Sequence, residues 1–112
     1  MIKLVIKGIR PEKENNNYII DAVVSSDDKE ISTQFEKTMR NFPDSYKRVL
    51  KFVEGSLVFT DATFSSVCIA LNHFSYLYGT NSCIVIDEFG MDKNIEEELL
   101  YIAEHKYSML RG

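Results

Sequence analysis

Glycine is sparse, and its placement matters more than its number. The five glycines stand singly, and none falls in a Gly-x-Gly or Gly-Lys-Ser/Thr context. Loops that cradle phosphates need such glycines so that backbone N–H groups can close on the anion, which excludes nucleotide binding of that kind. Cysteine is rarer still. Cys68 and Cys83 lie in apolar runs, form no Cys-x-x-Cys, and stand at no zinc-ligand spacing from His73 or His105. They read as small buried hydrophobes, and the sequence implies no cofactor and no metal. No apolar run reaches membrane-spanning length. Met1 to Ile9 is short and interrupted by lysine, unlike a signal peptide. The expectation is a cytoplasmic protein without a membrane partner. A basic stripe is missing too. Thirteen Lys and Arg residues are scattered among seventeen Asp and Glu residues, for a net charge of −4. Nucleic-acid affinity comes from neutralising phosphates, so no nucleic-acid partner is expected.

What is present suits one globular domain over 1–112. Apolar residues make up 45% and charged residues 27% of the 112, and seven Phe with six Tyr supply large buried surface. Two separate cores in a chain this short would each be too small to stand alone.

Ile2 to Lys7 is β-branched and partly alternating, and reads as a strand. Gly8 to Asn17, with Pro11 and three consecutive Asn, reads as a turn, and Tyr18 to Val24 as the second strand. Asp27 can cap a helix, with Glu30 completing a capping box. Ile31, Phe35, Met39 and Phe42 then form its apolar stripe, ended by Pro43. Tyr46 to Val53 reads as a third strand, Glu54-Gly55 as a turn, and Ser56 to Phe59 as a short extended continuation. Thr60 to Thr63 offers caps for a helix from Phe64 to Tyr78. Its apolar residues cover most of its surface, so it is expected to be the most buried helix, sandwiched inside the molecule. Gly79 stops it. Cys83 to Ile86 is continuously apolar, as in a strand covered on both faces. A last helix follows Asp92 or Asn94, with Ile95, Leu99, Ile102, Lys106 and Met109 along one face. The expected fold is α/β, a mixed sheet of about four strands with three helices in the order β-β-α-β-α-β-α.

Few constellations point to chemistry. Ser66 and His73 share a helix face but stand two turns apart, about 10 Å, beyond hydrogen-bond reach. Asp61, Asp87 and Glu88 follow strand-like runs, where open α/β sheets gather ligands. They are the only acids placed for catalysis, and no base or nucleophile accompanies them; capping and solvated turns explain them more simply. Thr60 to Ser66 sets hydroxyls at a helix start, where backbone N–H groups and the dipole favour negative charge. Capping by Asp61 or Thr63 is the simpler account of that segment.

From Arg48 to Gly55, then Phe59-Thr60-Asp61-Ala62-Thr63-Phe64, the helix to Tyr78, Gly79 and Cys83 to Asp87, the chain resembles the STAS family of sulphate transporters and anti-sigma factor antagonists. Tyr18 to Val24 and the helix from Glu30 resemble that family's second strand and first helix. The family's phosphorylated Ser follows the Asp, and here that position is Ala62; Phe64 replaces the next Gly. The resemblance therefore implies a protein-docking surface at Asp61, Ala62, Thr63, Phe64 and Ser65, without the family's phosphorylated serine. The leading expectation is a non-enzymatic regulatory module that binds a kinase or sigma-regulatory partner. The alternative is a small inhibitor or immunity-type protein that neutralises a toxin or nuclease by complementing its basic site. A small enzyme using Asp61, Asp87 and Glu88 is the third reading.

Overall fold

A computed structural model describes residues 1–12, 17–87 and 90–112. Ten elements follow one another: β1 (Ile2–Glu12), β2 (Asn17–Ser26), α1 (Lys29–Met39), α2 (Asp44–Lys47), β3 (Leu50–Val53), β4 (Ser56–Thr63), α3 (Phe64–Tyr78), β5 (Ser82–Ile86), α4 (Lys93–Tyr107) and β6 (Leu110–Arg111). The strands form one mixed sheet in the order β3-β4-β2-β1-β5-β6. β1 pairs antiparallel with β2 and parallel with β5, while β2 and β3 each pair antiparallel with β4.

The α/β class and the mixed sheet agree with the sequence, but the sheet has six strands rather than four, and four helices are present among the described residues. β6, a two-residue strand that follows α4 and pairs parallel with β5, is one added strand; three further departures from the sequence reading are local. β1 continues past Gly8 to Glu12 because a bulge between Ile6 and Gly8 resets its register with β2. Pro11 is tolerated there because β5 pairs with β1 only as far as Ile6, so the proline lies where β1 is an edge. Asn15 and Asn16, where the sequence reading expects a turn, lie outside the described residues.

Second, Pro43 precedes a four-residue helix over Asp44–Lys47, so Tyr46 begins no strand. Proline presets the backbone for a first turn, and the Asp44–Lys47 ion pair at 3.0 Å closes it. Third, Glu54 and Gly55 both take positive φ, 49° and 81°. That pair makes a two-residue hairpin turn, and Ser56 starts a separate strand rather than continuing β3. The first helix is capped by Asp28, not Asp27: its side chain accepts from the Glu30 N–H at 2.9 Å.

All four helices lie on one side of the sheet. Alternate strand residues Ile2, Leu4, Ile6, Ile20, Ala22, Val24, Leu57 and Phe59 are buried in one core with Ile31 and Phe35 of α1, Val67, Leu71 and Phe74 of α3, and Leu99 and Ala103 of α4. The intervening residues Val5, Val23, Val58 and Val85 are half-buried and take no part in that core. Register sets these four valines side by side across β4, β2, β1 and β5. β5 is therefore not covered by helices on both faces, and its apolar run reflects a row of valines on the open face. α3 is likewise not sandwiched. Its inner side holds Phe64, Val67, Cys68, Ala70, Leu71 and Phe74, all buried, and its outer side meets solvent.

Candidate functional site

The stretch before α3 is strand, not a capping loop. Register between β2 and β4 slips between Ile20/Ala62 and Ala22/Phe59, setting Thr60 and Asp61 against Asp21 alone. Asp61 takes φ 52° in this bulge, and its N–H donates to Asp21 Oδ1 at 2.9 Å. The Thr60 N–H donates to the Val49 carbonyl at 2.8 Å. Arg10 Nη1 donates to Asp61 Oδ1 at 2.7 Å, with both side chains largely exposed, so the pair orients more than it stabilises.

The bulge decides which residues of the 61–65 segment face outward. Ala62 and Phe64 are each 2% exposed and belong to the core. Neither side chain is available to a partner while the domain is folded, which corrects the docking surface drawn from the sequence. Thr63 caps α3, accepting from the Ser66 N–H at 3.3 Å and donating to Ser66 Oγ at 2.6 Å. Ser65 Oγ accepts from Asn17 Nδ2 at 3.0 Å, which ties the helix start to β2. Of the five, Asp61, Thr63 and Ser65 keep surface, and each already has an internal partner.

The two described catalytic candidates are not neighbours. Asp61 is on β4, and Asp87 follows β5, three strand spacings away or about 14 Å. Each has its own cation from β1: Lys7 Nζ donates to Asp87 Oδ2 at 2.8 Å. That hydrogen bond and charge hold the Asp87 carboxyl below the usual carboxylate range. Glu88 lies outside the described residues. Cys68 is fully buried, and desolvation pushes its thiol up to about 12. Among the described residues no group of three His, Cys, Asp or Glu could hold a metal ion, and no helix is long and apolar enough to cross a membrane.

A different surface stands out along α3. Ser65, Ile69, His73 and Tyr76 recur at helical spacing on its outer side. Ile69 is 52% and Tyr76 85% exposed, with Leu77 at 49% on the shoulder. No charged side chain interrupts this face, because none occurs between Asp61 and Asp87. α1 and α4, by contrast, carry Lys and Glu on their outer sides. The charge-free run was visible in the sequence, but it reads equally as a wholly buried helix; only placing the helix on one side of a sheet separates the two.

Beside this face runs an apolar groove. Its walls are Ile69, Ala70 and His73 of α3 and the Asn41–Pro43 connection with Tyr46 of α2. Phe42 forms its floor, with its ring 5.3 Å from those of Tyr46 and His73. A second depression, lined by Tyr46, Val49, Asp61, Thr63 and Ser66, shares Tyr46 and leads toward the start of α3. The groove thus links the outward part of the 61–65 segment to the middle of the helix. No family model matches the chain, and neither a curated protein nor a solved structure matches it.

Proposed function

We propose that this chain is a protein-binding module that docks its partner on the outer face of α3, from Ser65 to Tyr76. The exposed, charge-free stripe of Ile69, His73 and Tyr76 carries this reading. Interface centres are depleted of charge and enriched in Tyr and other aromatic anchors, whereas an ordinary solvated helix face is not. Leaving such a stripe in water gains nothing for folding. The resemblance to anti-sigma factor antagonists implies a regulatory partner at Asp61 to Ser65, which meets this face only at Ser65; with Ala62 where that family carries its phosphorylated serine, control by modification there is not part of the reading. The inhibitor alternative uses the same face on a toxin or nuclease, and the identity of the bound protein separates the two.

The test is a photo-activated cross-linking residue placed at Tyr76, and separately at Glu97 on the exposed side of α4, in the full chain expressed in its own cells. A discrete protein adduct from position 76, absent from position 97 and lost on Ile69→Glu, is the expected result. Equal labelling from both positions, or adducts indifferent to Ile69→Glu, would remove the face from consideration.

A further inference from the structure

The face of the sheet turned away from the helices does not have the pattern of a solvated surface. A sheet with one wet face alternates apolar and polar residues along its strands, and unbroken apolar runs mark strands covered on both sides. Leu4-Val5-Ile6, Ala22-Val23-Val24, Leu57-Val58-Phe59 and Ile84-Val85-Ile86 are such runs, one on each of the four central strands. The described helices cover one side of them and leave Val5, Val23, Val58 and Val85 in a row on the other. The apolar surface reaches both edges. Val53 pairs with Ser56, two residues before Val58, and Leu110 with Cys83, two residues before Val85, so both share the valines' face. They are 47% and 46% exposed. Charge flanks the row differently on its two sides. On one side Lys3 pairs with Ser25. On the other, Lys7 stands in the β1 bulge beside Asp21, and its ammonium donates to Asp87.

We propose that a second copy of this chain covers this face, in a symmetric dimer whose two-fold axis runs along the strands between β1 and β2. That gap is the centre of the strand order. Rotation about the axis lays β1 over β2 of the other copy, β5 over β4, and β6 over β3. Val5 then meets Val23, Val85 meets Val58, and Leu110 meets Val53, each pair occurring twice, with the sheets about 10 Å apart. The same rotation brings Lys7 of each copy to Asp21 of the other, and Lys3 to Ser25. A second aligned arrangement has its axis across the strands, through the valine row. It lays β1 on β1 and sets Lys3 against Lys7, like charge on like. Charge therefore selects the first axis, and the usual twist of about 30° between packed sheets moves its central pairs least. The face spans five strand spacings, about 24 Å, and about 13 Å along the strands, or roughly 300 Å² of flat area. Permanent dimers cover about 800 Å² or more per partner, so this one is weak and forms as concentration rises, leaving the face open in dilute solution. The outer side of α3 points away from the axis in both copies, so the dimer is independent of the protein-binding reading above.

Sedimentation velocity of the full chain is the test, run from about 10 μM to about 1 mM, the range in which a weak dimer dissociates. The expected result is a reversible shift from monomer to dimer across that range. Val58→Lys should hold the chain as a monomer throughout, with its thermal unfolding midpoint in dilute solution unchanged. Leu110→Glu, on an exposed edge, should weaken association without touching the central strands. Lys7→Asp and Asp21→Lys should each weaken self-association about tenfold or more, by setting like charges together. An equal mixture of those two variants should dimerise again, because each then supplies the opposite charge to the other. A wild-type chain that stays monomeric to about 1 mM overturns the proposal, and so does a dimer that survives both Val58→Lys and Leu110→Glu. A dimer lost in Ile69→Glu but kept in Val58→Lys places the contact on α3 instead and overturns it too. If the apolar variants abolish the dimer but the charge variants and their mixture behave as the wild type, the proposed two-fold is wrong.

Discussion

Leu71 shows what holds the domain together at the level of one side chain. It is 1% exposed and sits in the core beneath α3, between the helix and the strands. Leu71→Ala deletes buried methyl groups and leaves a void that tight packing closes only in part, so stability should fall by about 2–5 kcal/mol in urea unfolding. A change below about 0.5 kcal/mol, the scale of surface substitutions, would mean that the helix does not bear on the sheet there. Asp87 illustrates a residue that reports on geometry without holding the fold. Its carboxyl is lowered first by the hydrogen bond from Lys7 and then by the charge of that ammonium. A depressed folded value means that the contact is in force above the ordinary carboxylate range and lost as pH falls through the folded value. In an NMR titration Asp87 should therefore titrate below a free aspartate, and Lys7→Gln should return it upward. Unchanged titration in that variant would show that the pair is not formed in solution.

At the scale of elements, β2 carries a sharp contrast between its two faces. Val24 is fully buried against the helices, while its neighbour Val23 lies in the valine row on the open face. Threonine is close in shape to valine but brings a hydroxyl. Val24→Thr should cost about 1–3 kcal/mol, since the hydroxyl is buried without a ready partner, and Val23→Thr less than about 0.5 kcal/mol. Equal costs in thermal or urea unfolding would mean that something covers both faces. The same contrast explains what the sequence allowed to be read. α3 was legible to the residue, because Thr63 caps it, Gly79 closes it in the left-handed conformation at φ 59°, and apolar spacing fills the turns between. The Glu54-Gly55 turn between β3 and β4 was legible, but Ser56 to Phe59 read as a continuation rather than a strand of its own, because a turn signal alone does not tell a hairpin from a kink. The small helix after Pro43 and the antiparallel pairing across Glu54-Gly55 are settled by tertiary context. The burial of Ala62 and Phe64 in the candidate site was hidden in the same way. The 61–65 segment was correctly placed at a helix start, but a bulge that adds one residue to β4 exchanges inside for outside, and periodicity alone does not reveal a bulge. Ile69 and Leu77 read as part of a wholly buried helix because an apolar residue in a charge-free run looks the same whether it faces a sheet or a partner.

For the molecule as a whole, the order of strands says where stability must concentrate. The two central strands β1 and β2 come from the first hairpin, but they are flanked by β5 and β4, so Ile2 pairs with Ser82 across most of the chain. Such non-local pairing forms only when the whole sheet assembles, because closing the intervening loop must precede any return from the contact. β3 and β6 are different. They are the edges, β3 closed by a local turn and β6 only two residues long. Native-state hydrogen exchange should therefore find the amides of Leu4, Ile6 and Val24 opening only with global unfolding, at the free energy given by denaturant. The amides of β3 and β6 should exchange by local opening at markedly lower free energy. If Leu110 or Phe52 were protected as fully as Leu4, an additional layer or partner strand would have to cover the corresponding edge, and the interaction surface would have to be sought there rather than along α3.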